Sequence, residues 1–209
     1  MPKIAAYNQH AVEYDAWFDK NEFIYKSELQ AVSSLLPPTG TGVEIGVGTG
    51  RFAQPLGITV GIEPSLAMRA IAENRGITIY DAVAEALPFN EEQFDFALMV
   101  TTICFLDDVE KTFKEAHRVI KLHGSLIVAF IDKNSPLGKL YEQKKQSSVF
   151  YKGATFYTVN EVVDFLRKAR FNGFTFSQTV FPDLNNSQDI QPVKEGHGEG
   201  SFVVIRGMK

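Results

Sequence analysis

Val43-Glu44-Ile45-Gly46-Val47-Gly48-Thr49-Gly50 is the stretch on which the reading of this 209-residue chain turns. A short apolar run ends in glycines at alternate positions. Glycine takes positive φ without a side-chain clash and lets backbone approach a ligand closely. Such a run entering such a turn reads as the first strand of an α/β sheet, with the turn at the carboxyl ends of the strands, where open sheets bind ligands. A dinucleotide fingerprint, G-x-G-x-x-G, needs its third glycine at position 51. Arg51 stands there, and the third glycine comes one residue early. A phosphate loop needs Gly-Lys-Ser/Thr, which is absent. A turn with only a structural purpose stays open at this point.

Downstream of the turn, strands and helices alternate. Strands are expected at 59–63, 77–81, 94–101 and 125–131, after a first one at 41–45; helices are expected at 65–74 and 107–122, the second ended by Gly124. Near-continuous apolar strands separated by helices indicate a mostly parallel sheet covered on both faces. Beyond it, helices are expected at 136–151 and 158–170, the latter opened by a Thr158/Glu161 capping box. Strands at 174–181 and 201–206 flank a polar stretch, 182–200, and no helix joins them. That implies an antiparallel finish, with the last strand between its neighbours. Upstream, apolar spacing over 7–36 fits one or two amphipathic helices, with Asn21 capping the second. Pro37-Pro38-Thr39-Gly40 closes that stretch. The expected architecture is therefore an α/β, Rossmann-like, doubly wound sheet over 37–209 with a helical lid over 1–36.

Apolar residues make up 44% of the chain and charged residues 22%, ordinary globular values. A net charge of −4 argues against nucleic acid or an anionic membrane as the main partner. Cys104 is the single cysteine, and no Cys/His spacing fits a metal. No apolar run reaches the roughly 18 residues of a membrane span, and Met1-Pro2-Lys3-Ile4 does not open a signal peptide. A cytoplasmic protein without a metal is expected, and its oligomeric state is left open.

Glu63 ends the second strand, about 20 residues beyond the start of the Gly turn, where an acid can accept hydrogen bonds from both ribose hydroxyls of a nucleoside. A dinucleotide site shares that feature, so Glu63 alone does not discriminate.

Four ordered segments carry a family resemblance. Glu44 with Gly46, Gly48 and Gly50 matches the E/D-x-G-x-G-x-G turn of class I S-adenosylmethionine-dependent methyltransferases. Ala84-Glu85-Ala86-Leu87-Pro88-Phe89 is similar to the A-E-x-L-P-F segment of the quinone-biosynthesis members. Glu115-Ala116-His117-Arg118-Val119-Ile120-Lys121 resembles their E-x-x-R-V-L-K, and Tyr14-Asp15-Ala16-Trp17-Phe18 their Y-D-x-W-F lead-in. The resemblance covers about residues 7–131 and extends to small members, some labelled histamine N-methyltransferases. It implies S-adenosylmethionine as cofactor. Gly46, Gly48 and Gly50 would bracket its methionine part, Glu44 would orient that end, and Glu63 would hold the ribose. Ala84 and Leu87 would flank adenine. Val83 replaces an Asp usual in relatives, which leaves the adenine amine to Glu85 or uncontacted. Leu122-His123 stands where Pro-Gly is usual, at what reads as a helix end.

The expected reaction is in-line displacement of the methyl group by an acceptor atom held at near-attack distance. A base is needed only if the acceptor must lose a proton. Thr101, Thr102 and Cys104 follow the fourth strand; Thr101 would touch the cofactor and Thr102 the substrate. Tyr7, Tyr14 and Trp17 from the lid, with Tyr151, would wall a small-molecule acceptor, and aromatic faces suit a cationic amine. His10, Tyr14 and Thr101 are the candidate catalytic groups. Glu195, His197 and Glu199, in the polar stretch, are candidates to reach the mouth of the site. Two other functions fit parts of the pattern: a non-catalytic S-adenosylmethionine-binding module, and an NAD-linked oxidoreductase.

Overall fold

The computed structural model describes residues 4–182 and 189–209. Part of the polar stretch, 183–188, and residues 1–3 lie outside the described residues.

Eight strands form one sheet in the order β3-β2-β1-β4-β5-β8-β6-β7. β1 (Gly42–Ile45), β2 (Val60–Ile62), β3 (Thr78–Tyr80), β4 (Phe94–Val100) and β5 (Ile120–Ile131) run parallel. β8 (Phe202–Met208) lies antiparallel between β5 and β6 (Asn172–Thr179), as expected. A two-residue strand, β7 (Lys194–Glu195), adds an edge the sequence did not announce.

The strands alternate their side chains between two cores. Ala97 and Met99 face a cluster with Phe113 of α5 (Val109–Val119) and Leu166 of α7 (Val159–Lys168). Phe96 and Leu98 face the other, with Val32 of α3 (Glu22–Ser33) and Ala72 of α4 (Leu66–Asn74). α6 (Pro136–Lys144) follows β5. Local signals act where the sequence placed them: Ser65, Asp108 and Ser135 accept from the first turns of α4, α5 and α6, and Thr158/Glu161 closes both halves of its capping box.

Several expectations are corrected. The helix expected at 136–151 ends at Lys144. The segment 7–36 forms three helices, with α1 (Ala5–Gln9) and α2 (Ala11–Lys20) preceding α3. Asn21 stands at the start of α3, but its amide donates back to Trp17 O at 2.8 Å and closes α2 instead. α5 stops at Val119 rather than 122, and Ile120 already pairs with Phe94. The register then jumps from Phe94/Ile120 to Phe96/Ser125, a bulge at 121–124 where His123 takes φ 66°. A Cβ on Gly124 would come within 2.5 Å of Asp95 O, so the glycine belongs to the bulge and is no helix stop. Leu122, 63% exposed, had extended the apolar spacing misleadingly. His123 therefore does not sit at a helix terminus.

Candidate active site

The turn after β1 holds its three glycines at φ 72°, 55° and 83°. Each is needed for a different reason. A Cβ on Gly46 would meet the Thr102 methyl at 2.4 Å, and one on Gly50 the Ile77 side chain at 2.5 Å. A Cβ on Gly48 would meet nothing nearer than Tyr14 at 3.9 Å, because that position faces a cavity.

Glu63 stands at the end of β2, buried, beside that opening. Its carboxylate accepts Gly48 N–H at 3.0 Å and Ser65 N–H at 2.9 Å, linking the turn to the start of α4. Burial raises its carboxyl above the ordinary range, and these two backbone amides and Arg69 oppose the shift. Glu44 lies behind the turn, 2% exposed; burial raises it well above the ordinary range, against a hydrogen bond from the Ala53 backbone and with repulsion from Glu63 adding to the rise. Its Oε2 has no hydrogen-bond partner.

The cavity measures about 630 Å³. Gly46, Gly48, Glu63, Val83, Ala84 and Thr101 line it. So do the aromatic residues Tyr7, Tyr14, Trp17, Phe105, Phe150 and Tyr151, together with Glu28 of α3. Rings meet edge to face at Tyr7–Tyr14 (5.7 Å) and Tyr7–Phe105 (5.2 Å), and Tyr141 stacks on Tyr151 at 5.0 Å. Thr101, at the end of β4, takes φ 50°, a strained value for a β-branched residue, and its side chain hydrogen-bonds Tyr14. Burial pushes the phenols of Tyr7 and Tyr14 well above their ordinary range, so both stay protonated.

The methyltransferase-domain family matches residues 43–128 of this chain. A crystal structure from Thermotoga maritima, described as an S-adenosylmethionine-dependent methyltransferase and "possible histamine N-methyltransferase", superposes with a TM-score of 0.96 at 53% identity, covering 99% of each chain. An uncharacterized protein of Methanocaldococcus jannaschii is 46% identical over 97% of this chain and 98% of its own. One from Mycobacterium bovis is 35% identical over 98% of this chain and 74% of its own. The chain belongs to the class I S-adenosylmethionine-dependent methyltransferases. It is an enzyme of that family, and the oxidoreductase and non-catalytic alternatives fall away.

The cradle of this methyltransferase fits its cofactor on three features. Gly48 opens onto a cavity that a side chain would fill, the buried Glu63 carboxylate lines that cavity, and a buried carboxylate oxygen of Glu44 behind the turn has no partner among the described residues. Val83, Ala84 and Glu85 line the cavity; Glu85 also accepts the Asp107 and Asp108 amides at 2.9 and 3.2 Å.

Other expected site residues lie elsewhere. Leu87 is in the sheet core, off the cavity wall, because Glu115 accepts its amide at 3.0 Å and Arg118 donates to its carbonyl at 3.0 Å. The two downstream motifs thus form one brace. Gly50 packs against Ile77, and Glu44 is behind the wall. Thr102 reaches the cavity, but its hydroxyl is 3.2 Å from Gly46 O and 3.1 Å from Val100 O, where it fastens the turn. His10 ends α1, lies 3.7 Å from Glu13 and against Phe150, and is not among the lining residues. Glu195, His197 and Glu199 sit at the β6–β7 edge, with His197 against Phe176 and Glu199 paired to Lys194.

Arg51 and Glu28 were missed. Arg51 grips Asp15 through two bonds of 2.9 and 2.8 Å and Asp19 through two of 2.7 and 2.8 Å, so α2 is bolted to the residue after the Gly turn. Arg75 adds a 2.9 Å contact to Asp15. Burial opposes ionisation of Asp15, but hydrogen bonds from Arg51 and Arg75 outweigh it and hold the carboxyl well below its usual range. Among the described residues no cluster of His, Cys, Asp or Glu is arranged to hold a metal, and no helix is long and apolar enough to cross a membrane.

Proposed function

We propose that this enzyme methylates a small-molecule acceptor, held in the aromatic end of the cavity while the cofactor occupies the Gly-turn end. One observation carries the reading: a single cavity of about 630 Å³ joins the cradle to the aromatic wall. That volume falls in the range of roughly 300–1,000 Å³ typical of small-molecule sites. The description of the Thermotoga relative as a "possible histamine N-methyltransferase" favours an amine acceptor.

S-adenosylmethionine, when bound, supplies a methyl group on a sulfonium, already activated for displacement. The chain's own residues bind and align. Glu63 accepts hydrogen bonds from the ribose, and Gly48 leaves room for the methionine part. Ala84 and Val83 pack on adenine. Thr101, fixed by Tyr14, borders both ends of the cavity and holds the acceptor in line. The walls of α1 and α2 exclude water, which strengthens every polar contact inside. Tyr14 donates or accepts hydrogen bonds and is no general base, since burial keeps its phenol protonated.

The test is calorimetry with S-adenosylhomocysteine on the wild type and Glu63→Ala. The variant should remain folded and bind at least about 10-fold more weakly, the loss of a charge-assisted contact. Unchanged affinity would remove Glu63 from this role. Methyl transfer to an amine panel, read as S-adenosylhomocysteine formed, tests the acceptor class.

A further inference from the structure

Glu28 is the one carboxyl on the aromatic side of the cavity that is buried, and nothing already described uses it. It is 7% exposed on α3, and among the described residues no hydrogen bond or ion pair reaches it. The buried acid at the other end is different: Glu63 is held by two backbone amides. A lone buried carboxyl is costly and persists where something compensates it. Tyr14, Tyr141 and Tyr151 share the cavity lining with Glu28. No cation stands beside it. The other charged residues lining the cavity are Glu13, Glu63, Glu85, Asp107, Asp108 and one lysine, Lys111. An acid among aromatic faces, in a cavity whose charged lining residues are nearly all acids, is the chemistry that recognises an ammonium.

We infer that Glu28 selects the methyl acceptor, and that the acceptor is a small organic amine whose ammonium sits against this carboxylate among Tyr14, Tyr141 and Tyr151. The inference rests on the reading of the aromatic end as the acceptor site. The recognising charge is mounted on a rigid element, since α3 is built into the core through Ala31 and Val32. Burial pushes the Glu28 carboxyl up to about 8. Without a cation beside it the group is protonated at neutral pH, so an arriving ammonium displaces that proton to solvent.

The experiment is calorimetry on the full chain saturated with S-adenosylhomocysteine, using histamine and 2-phenylethylamine against the neutral 2-phenylethanol. The amines should bind at least about 10-fold more tightly than the alcohol. Glu28→Gln should lose at least about 10-fold in amine affinity while its affinity for S-adenosylhomocysteine stays within about twofold. Titration in two buffers of different ionisation enthalpy should show close to one proton released at pH 7 by the wild type, fewer at pH 9, and none by Glu28→Gln. A carboxyl that merely packs would produce no such release. Glu28→Leu, which keeps an apolar volume, should also lose the amine. Equal binding of amine and alcohol, undiminished amine binding by Glu28→Gln, or no amine binding by a wild type that holds S-adenosylhomocysteine would each overturn the inference and leave the cofactor cradle standing. Failure to bind S-adenosylhomocysteine at all would overturn the underlying reading.

Discussion

Gly48 and Gly50 look alike in the sequence, and the structure separates them. Gly50→Ala pushes a Cβ to within 2.5 Å of the mobile tip of Ile77, so it should cost stability, about 1–2 kcal/mol with the strain at positive φ, and leave cofactor affinity nearly intact. Gly48→Val instead fills the cavity: chemical denaturation should show a similar loss, but calorimetry should show S-adenosylhomocysteine binding abolished. Normal binding by Gly48→Val would contradict the placement of the cofactor. Glu28 gives a second residue-scale prediction. An unfolded Glu titrates near 4.3, and the folded carboxyl is raised to about 8. Its contribution to stability is therefore complete below pH ~4 and lost as pH rises toward 8. Thermal melts of Glu28→Gln should match the wild type near pH 4 and lie above it at pH 8, by on the order of 4 kcal/mol. A constant offset across that range would show that the carboxyl does not titrate there. The residues that bind by type were legible because glycine and acid spacing is tied to backbone geometry. Glu28 was not, since an acid on an amphipathic helix reads as solvated. The available signal was its place, four residues after Ile24 and before Val32, inside the apolar stripe.

The three N-terminal helices do separate jobs. α3 contributes Ala31 and Val32, both fully buried, to the core on one face of the sheet. A lid boundary at residue 36 therefore cuts through the hydrophobic core, and a fragment 37–209 should lack a cooperative melt and bind a dye for exposed apolar surface. A cooperative melt from that fragment would restore 1–36 as a detachable unit. α2 buries Phe18 in the same core and is also held by Arg51. Breaking a half-buried charge network leaves arginines uncompensated; discounted for the side-chain exposure of Asp15, 18%, Asp15→Asn should cost about 2 kcal/mol at pH 7. Because the folded Asp15 carboxyl lies below its unfolded value, that contribution is present above pH ~4 and disappears as pH falls below it. Melts of wild type and variant should accordingly converge in acid. Element type and order were legible because strand and helix periods differ. The helix-to-strand junction at Val119–Ile120 was not, because an exposed Leu122 completed a helical spacing that pairing with Phe94 overrides.

At the scale of the molecule, the cavity is bounded on one side by the carboxyl ends of β1, β2 and β4 and on the other by α1, α2 and the segment around Phe150. The alternation of strands and helices announced the parallel part of the sheet, and the helix-free link between the last strands announced their antiparallel pairing. The cavity's far wall depends on long-range contacts such as Asp15–Arg51 that no local pattern announces. A ligand filling this space touches both sides at once, so it must stabilise them together. α1 is the weakest part of that wall: it has five residues and no buried side chain, and its anchor is Asn8 Oδ1, which accepts Ser65 Oγ–H at 2.8 Å beside Glu63. S-adenosylhomocysteine at 100 times its Kd should stabilise the native state by about 2.7 kcal/mol, a rise in Tm of roughly 5–10 °C for a chain of this size. Limited proteolysis should report the same event locally, with cleavage around residues 5–10 suppressed by the ligand while the sheet is resistant throughout. If the melting temperature rises and α1 is cut as fast as before, the ligand occupies the cradle without engaging α1, and water exclusion must come from α2 and the aromatic segment alone.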